Sequence, residues 1–364
     1  MKRKTQNILL FVFCTAFTFA FYNFSTTTAQ TTPTNDRQRQ IPSPTPPPLP
    51  EEDKDEIIKI DTELVNLNVR VVDRNNRAIN NLTQADFKVY EDNVLQPIEF
   101  FSKSEVPTNY SLVIDNSGSL RQQIEKVIEA GKIIVGTNRP DDETSIIRFV
   151  SSERIEILQD FTHNKTDLDD ALESLFIEGG QTAIIDAVYL AAEKVDAYEK
   201  SRNPNDFKRR ALILVSDGED RDSYYKEPQL YQLLRESDVQ IFVIGFVNEL
   251  SKEGGFISKS PQGKAKAFLE RLATETGGKV YFPNNVSELN GIAQEIASEL
   301  RSQYSIGYSP TNKVQDGSFR NLKVVVADGA NKEKRIAVTR SGITRSGNNA
   351  KPSLQNPNQK PNKK

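Results

Sequence analysis

The sequence predicts an α/β protein, with a doubly wound, mostly parallel sheet that is inserted into or flanked by a small β-sandwich built from N- and C-terminal strands. Apolar runs alternate with helix-like spacing from residue 109 to about 301. The flanking segments, 57–104 and 303–344, show strand patterns only. Because each flank alone is short of core, one shared sandwich is favoured over two independent β units.

The central segment, residues 107–302, contains both strand patterns and helix patterns. The predicted strands are 110–114, 145–150, 153–158 at an edge, 210–215, 240–245 and 279–282. The predicted helices are 120–135, 165–176, 182–200, 228–237, 264–276 and 286–303. The run at 210–215 is continuously apolar, which is typical of a parallel strand covered on both faces. Alternation of this kind indicates an open sheet with helices on both sides.

The flanks show the two-residue period of half-buried strands. Val65, Leu67, Val69 and Val71 alternate with polar residues. Further predicted strands are 87–91, 98–100, 304–308, 322–326 and 335–338.

Both ends of the chain have the composition of export and spacer segments. Basic residues precede a mostly apolar run at 8–22, so residues 1–29 are interpreted as a signal peptide, with an uncleaved anchor helix as the alternative. Residues 30–56 are interpreted as a Pro-rich disordered linker, and residues 345–364 as a disordered tail. We therefore expect an exported protein, whether periplasmic, secreted or envelope-anchored, that touches the membrane only through an uncleaved anchor.

The composition excludes several kinds of chemistry. The formal net charge is −3, which gives no reason to expect a nucleic-acid partner. The chain has one cysteine, Cys14, so no internal disulfide forms. It has one histidine, His163, in a predicted loop, so a zinc site of His and Cys ligands is excluded and a serine triad is disfavoured. The remaining chemistry favours hard cations with oxygen ligands.

Oxygen-bearing side chains follow the ends of predicted strands. Segment 115–119 follows the first strand of the sheet, and segment 216–220 follows the continuously apolar strand. A third segment, 178–183, is a glycine turn before a predicted helix. Ligands of open α/β sheets bind beyond the carboxyl ends of the strands, so these segments are expected to converge there. The alternative is that the aspartates only cap helices.

The set Asp115-x-Ser117-x-Ser119, Thr182 and Asp217 resembles the metal-ion-dependent adhesion site of von Willebrand factor A (VWA) and integrin I domains. The resemblance covers about 107–302. It implies that the three hydroxyls bind the ion, that the two carboxylates bind it directly or through water, and that a Glu or Asp of a partner protein completes the shell. The expected ion is Mg²⁺, with Mn²⁺ and Ca²⁺ as alternatives.

The layout from 57 to 344 also resembles bacterial VWFA-related secreted proteins, on segments 71–74, 82–92 and 303–308. Around the expected site, Asp186 is interpreted as either a neighbour of the ligands or a surface residue. Glu219 and Asp220 are expected at its solvated rim. The leading function is a non-enzymatic, metal-dependent protein-binding module for adhesion or envelope interactions. The alternatives are a metal-dependent hydrolase and a structural envelope protein whose metal only stabilises it.

Overall fold

The computed structural model describes residues 64–103, 106–202, 208–253, 260–329 and 332–345. The predicted signal peptide at 1–29, the linker at 30–56, Cys14 and residues 346–364 of the predicted tail lie outside the described residues. In the part of the chain that is described, no helix has the length and apolar character needed to cross a membrane.

The described chain contains the predicted strands and helices in the predicted order, together with two strands that were not predicted, at Val94–Gln96 and Gly342–Thr344. The strands are β1 (Val65–Val72), β2 (Phe87–Glu91), β3 (Val94–Gln96), β4 (Phe100–Ser102), β5 (Thr108–Asp115), β6 (Glu143–Ser151), β7 (Arg154–Thr162), β8 (Arg209–Ser216), β9 (Val239–Gly245), β10 (Val280–Tyr281), β11 (Tyr304–Tyr308), β12 (Phe319–Val326), β13 (Ile336–Val338) and β14 (Gly342–Thr344). The α-helices are α1 (Ile124–Gly136), α2 (Lys165–Glu173), α3 (Ile184–Arg202), α4 (Glu227–Glu236), α5 (Pro261–Thr276) and α6 (Leu289–Glu299).

Six strands form the central sheet, in the order β10-β9-β8-β5-β6-β7. The first five are parallel, and β7, which was predicted to lie at an edge, runs antiparallel to β6 there. One apolar cluster packs helices α3, α4 and α5 on the sheet, and a second cluster packs α1, α2 and α6. Because helices cover both faces, every residue of β5 is buried. The prediction of a doubly wound sheet is confirmed.

The flanking strands form two antiparallel four-stranded sheets, β13-β1-β11-β4 and β14-β12-β2-β3. Each sheet combines strands from before and after the α/β region. Val65 pairs with Tyr308, and Val89 pairs with Val324. Apolar side chains of both sheets share one buried cluster. Since neither flank forms a sheet by itself, the shared sandwich is the correct description.

Local hydrogen bonds explain why two helices differ from their predicted bounds. Helix α3 begins at Ile184, so Thr182 lies in a loop rather than in the helix. The N–H of Asp186, which would otherwise bond to the carbonyl of Thr182, donates to Ser223 Oγ at 3.2 Å. At the other end of the region, α6 ends at Glu299 and does not continue to residue 303.

Arg209 links the segment after α6 to the start of β8. The Arg209 guanidinium donates to the carbonyls of Leu300 at 3.0 Å and Gln303 at 2.7 Å. These bonds turn the chain after α6 into β11, at the N-terminal end of the central sheet. At the same end, Arg70 of the sandwich lies 3.0 Å from Glu299.

The bounds of one flanking strand also differ from the prediction. The strand predicted at 98–100 is β4, at Phe100–Ser102.

Candidate metal centre

Asp115 is the last residue of β5, and its carboxylate is fully buried. One oxygen, Oδ1, accepts a hydrogen bond from the backbone N–H of Ser117 at 2.9 Å. The other, Oδ2, accepts from Ser216 Oγ at 2.8 Å. The parallel register pairs Ile114 with Val215, so Ser216 at the end of β8 lies beside Asp115. Two neighbouring strands therefore fix the orientation of this carboxylate.

The first loop of the site, residues 116–120, carries two serine hydroxyls. Ser117 Oγ and Ser119 Oγ lie 2.8 Å apart. Ser117 is buried, whereas Ser119 is exposed at the start of a 3₁₀ turn, Gly118–Leu120. The pair thus connects the buried carboxylate of Asp115 with the protein surface.

The third loop of the site, residues 217–226, begins with the second buried carboxylate. Asp217 Oδ1 accepts from the N–H of Glu219 at 2.9 Å. Between them, Gly218 has a φ of 82°, and a Cβ there would lie 2.9 Å from the Leu269 side chain. Glycine is therefore favoured at this turn, because the positive φ strains other residues and a Cβ would press on the Leu269 side chain.

The second loop, residues 174–183, lies between the other two and bonds to both. The N–H of Glu178 donates to the carbonyl of Asn116 in the first loop at 3.0 Å. The carbonyl of Thr182 accepts from the N–H of Arg221 in the third loop at 2.8 Å. A Cβ on Gly180 would lie 2.3 Å from Val150 Cγ1, so the loop passes close to β6. These bonds bring the five predicted ligands, Asp115, Ser117, Ser119, Thr182 and Asp217, to one edge of the sheet.

The two buried carboxylates have no cationic side chain beside them. In the described ranges, no Lys, Arg or His lies within ion-pair distance of Asp115 or Asp217. Burial, with the negative charge of Asp217, raises the pKa of Asp115 to about 6. An isolated buried carboxylate is costly unless a counter-charge offsets it. The edge therefore suits a cation supplied from outside the chain.

The donor set decides what kind of cation fits. Across the residues with described placement, no group of three or more His, Cys, Asp or Glu side chains is arranged to hold a metal. The edge instead offers two carboxylates and the hydroxyls of Ser117, Ser119 and Thr182. Oxygen donors of this kind suit hard divalent ions better than soft ones. The residues present thus fit a hard divalent cation.

The three residues expected around the ligands have separate structural roles. Asp186 is buried, and its carboxylate accepts from the N–H groups of Tyr224 and Tyr225, both at 2.8 Å. The interpretation of Asp186 as a surface residue is therefore wrong, because its carboxylate is needed to hold the third loop. Glu219, partly exposed, pairs with Arg221. Asp220 is exposed, and its Oδ1 accepts from the N–H of Ile185 at 3.2 Å.

Sequence reasoning missed two residues that organise the site. Ser216 donates to Asp115 and accepts from the N–H of Gly218 at 3.1 Å, so it joins the first carboxylate to the third loop. Asn116 donates from Nδ2 to the carbonyl of Phe176 at 2.7 Å. The signal for Ser216 was its place at the end of β8, but its role depends on the pairing of β8 with β5. The role of Asn116 depends on its contact with Phe176, which lies 60 residues further along the chain.

Residues 111–295, about half of the chain, match the family model of the von Willebrand factor type A domain. The chain therefore belongs to the VWA family. The fold and the first-loop motif agree with this assignment, which confirms the resemblance inferred from the sequence at the level of the domain. A search among curated proteins finds no match to this chain.

Several solved structures are similar to part of the chain. An aerotolerance-related membrane protein from Bacteroides fragilis is 21% identical over 53% of this chain and 98% of that chain, with a TM-score of 0.39. A von Willebrand factor type A protein from Catenulispora acidiphila is 12% identical over 70% of this chain and 73% of that chain, with a TM-score of 0.44. Proximal thread matrix protein 1 from the mussel byssus, with a zinc-occupied MIDAS motif, is 19% identical over 54% of this chain and 48% of that chain, with a TM-score of 0.42.

Proposed function

We propose that this chain is a non-enzymatic module that binds a partner protein through a divalent metal ion. The observation that carries the proposal is the pair of buried carboxylates, Asp115 and Asp217, which share an edge with no cation of the described chain beside them. Their mutual repulsion disfavours the metal-free state. A divalent ion would offset that repulsion, so the fold has a reason to take one up.

The proposed ligands are Asp115, Ser117, Ser119, Thr182 and Asp217. The ion is Mg²⁺, with Mn²⁺ and Ca²⁺ as the alternatives to be tested. When bound, the ion supplies positive charge and an open coordination position for a Glu or Asp carboxylate of the partner. The exposure of Ser119 supports access of such a partner to the edge of the site.

The chain's own residues orient the two carboxylates before any ion arrives. Ser216 and the N–H of Ser117 each hold one oxygen of Asp115. The N–H of Glu219 holds Asp217. Because the orienting bonds come from backbone and from a buried hydroxyl, little reorganisation is needed on binding. Such outer contacts commonly set metal affinity.

Binding is proposed rather than hydrolysis because the single histidine lies away from this edge and the nearby carboxylates of Glu178 and Glu219 are paired with arginines. The single histidine, His163, follows β7, which runs antiparallel to β6. The pairing of Thr144 with Thr162 puts the end of β7 at the opposite end of the sheet from Asp115. His163 is therefore too distant to activate water at the metal edge.

We further propose that the protein is exported and acts in the periplasm, outside the cell or on the envelope. The support is the sequence of residues 1–29, a basic start followed by an apolar run and small residues before the expected cleavage point. Contact with the membrane would then require an uncleaved anchor at this segment.

The test uses the purified full chain, an envelope extract, and Mg²⁺ or EDTA. We expect Mg²⁺-dependent capture of a partner by the wild type, loss of capture in EDTA, and loss of capture by Asp115→Ala. The matched control is Asp141→Ala, which changes an exposed aspartate outside the three loops. Circular dichroism checks that both variants fold.

Three outcomes would contradict the proposal. Capture that persists in EDTA and in Asp115→Ala would show that the metal edge is not the binding site. Metal-dependent turnover of phosphoester or ester substrates by the pure protein would favour a hydrolase. A rise in melting temperature with Mg²⁺, with no partner that depends on it, would favour a purely stabilising ion.

A further inference from the structure

Exposed apolar side chains of the described α/β region are concentrated near the metal edge. Among the described residues from 106 to 302, the large apolar side chains with high exposure are Ile157, Phe176 and Tyr224. Phe176 belongs to the second loop and is 50% exposed, and Tyr224 belongs to the third loop and is 79% exposed. Ile157 lies in β7 instead. Apolar groups left in water beside a binding site commonly mark a protein-binding surface.

The Phe176 ring is held in place although half of it is exposed. The guanidinium of Arg148 lies 4.5 Å from the centre of the ring. The carbonyl of Phe176 accepts from Asn116 Nδ2 at 2.7 Å, so its backbone is bonded directly to the first loop of the metal site. Phe176 is therefore an exposed aromatic group in a fixed position beside the edge.

Tyr224 is held in a similar way on the other side. Its N–H donates to Asp186 Oδ2 at 2.8 Å. Its ring meets Tyr225 edge to face, with centroids 5.4 Å apart, and Tyr225 stacks on Tyr189 of α3 at 4.0 Å. Aromatic groups that are rigid before binding lose little conformational entropy when a partner covers them, which makes them effective anchors.

Arginines of β7 and of the third loop are matched with carboxylates within the chain. Arg221 pairs with Glu219, and Arg154 lies 2.8 Å from Glu178. Asp222 Oδ2 accepts from the N–H of Ser152 at 3.2 Å. A run of acidic residues on a partner would therefore meet arginines that already have carboxylate partners. A single acidic residue would not need an arginine, because the metal ion would bind its carboxylate.

We propose that the partner segment carries one Asp or Glu set between apolar side chains, which pack on Phe176 and Tyr224. This inference rests on the proposed function, because the acidic residue is the one that completes the metal shell. Phe176 and Tyr224 are then specificity-determining residues: they select the sequence around the carboxylate, while the metal selects the carboxylate. An acidic run and a second copy of this chain are the competing occupants.

The test measures binding of short fluorescent peptides to the full chain by fluorescence polarisation, in Mg²⁺ and in EDTA. Four peptides differ only around their centre: a Glu between leucines, a Glu between serines, a Glu between glutamates, and a Gln between leucines. We expect the peptide with Glu between leucines to bind at least about tenfold more tightly than the peptide with serines. We expect the Gln peptide not to bind.

Variants separate the anchors from the metal. Phe176→Ala/Tyr224→Ala should abolish the preference for leucine, while calorimetric titration with Mg²⁺ should give the wild-type affinity, since neither side chain is a proposed ligand. Ile157→Ala is the matched control, because Ile157 is 52% exposed but lies on β7 away from the loops, and it should behave as wild type. Sedimentation with Mg²⁺ checks for self-association.

The outcomes distinguish this inference from the proposed function. If Mg²⁺ does not bind, or if the Gln peptide binds as well as the Glu peptide, the proposed function fails and this inference fails with it. If the Glu peptides bind in Mg²⁺ without preferring leucine, or prefer flanking glutamates, only this inference is overturned. It is also overturned if Mg²⁺ binds and no peptide does, or if the chain self-associates through this edge.

Discussion

The two ends of the central sheet both bury charged groups, yet they treat them differently. At the N-terminal ends of the strands, Arg70 pairs with Glu299, and Arg340 lies 3.3 Å from Asp238. At the carboxyl ends, Asp115 and Asp217 are buried with no cationic side chain in contact from the described residues. The first end uses charge to attach the sandwich. The carboxyl end carries negative charge that no described side chain compensates and that a bound cation can neutralise. The groups that stabilise the fold and the groups proposed to bind a ligand therefore lie at opposite ends of the sheet.

The largest expected effect comes from breaking the paired end. Arg209→Met should lower the free energy of unfolding by about 4 kcal/mol, because the carbonyls that it holds after α6 lose their charged donor while remaining buried. Urea denaturation would measure the change. The control is Arg74→Met, at an exposed arginine, which should unfold like the wild type. Equal stability of the two variants would show that Arg209 does not secure this end.

The next effect concerns the unpaired end. The pKa of Asp115 in the folded, metal-free protein is about 6, above the 3.8 of the unfolded chain. The stability from its protonated form is fully present below about pH 4 and is lost as the pH rises through about 6. In EDTA, the free energy of unfolding should therefore fall by about 3 kcal/mol across this range.

Asp115→Asn tests the origin of that pH dependence. The amide keeps the shape of the side chain without its charge, so the variant in EDTA should be more stable than the wild type at pH 7.5 and should lack the loss between pH 4 and 6. Mg²⁺ should stabilise the wild type and not the variant. Asp141→Asn, at an exposed aspartate, should retain the wild-type pH profile. If Asp115→Asn lost stability with rising pH as the wild type does, the pH dependence would not come from the carboxylate of Asp115.

The smallest expected effect is on metal affinity and concerns a residue that orients Asp115. Ser216→Ala removes the hydroxyl that holds Asp115 Oδ2, so Mg²⁺ affinity should fall about tenfold while the fold is retained. Calorimetric titration would measure it. Ser145→Ala is the matched control, because Ser145 is also a buried strand serine but bonds to Ser111 rather than to the site. An unchanged affinity in Ser216→Ala would mean that Asp115 needs no such support.

Much of the fold followed from local patterns. The continuous apolar run in β8 and the alternation in β1 predicted buried and half-buried strands, because side-chain periodicity depends only on backbone geometry. The ends of elements were predicted less well. Helix α6 stops at Glu299, before its predicted end, and Arg209, remote in sequence, donates to carbonyls of the segment that follows. Helix α3 starts after Thr182 because Ser223 takes an N–H from the first turn.

The sequence by itself determined the class of fold, the order of elements and the oxygen-rich segments at the strand ends, because each depends on residue types close together in the chain. Only the tertiary structure decided that Ser216 holds Asp115, that Asp186 holds the third loop rather than facing solvent, and which strands of the two flanks pair. These features depend on strand register and loop contacts between distant residues. Such pairings are fixed by packing, which a local pattern does not contain.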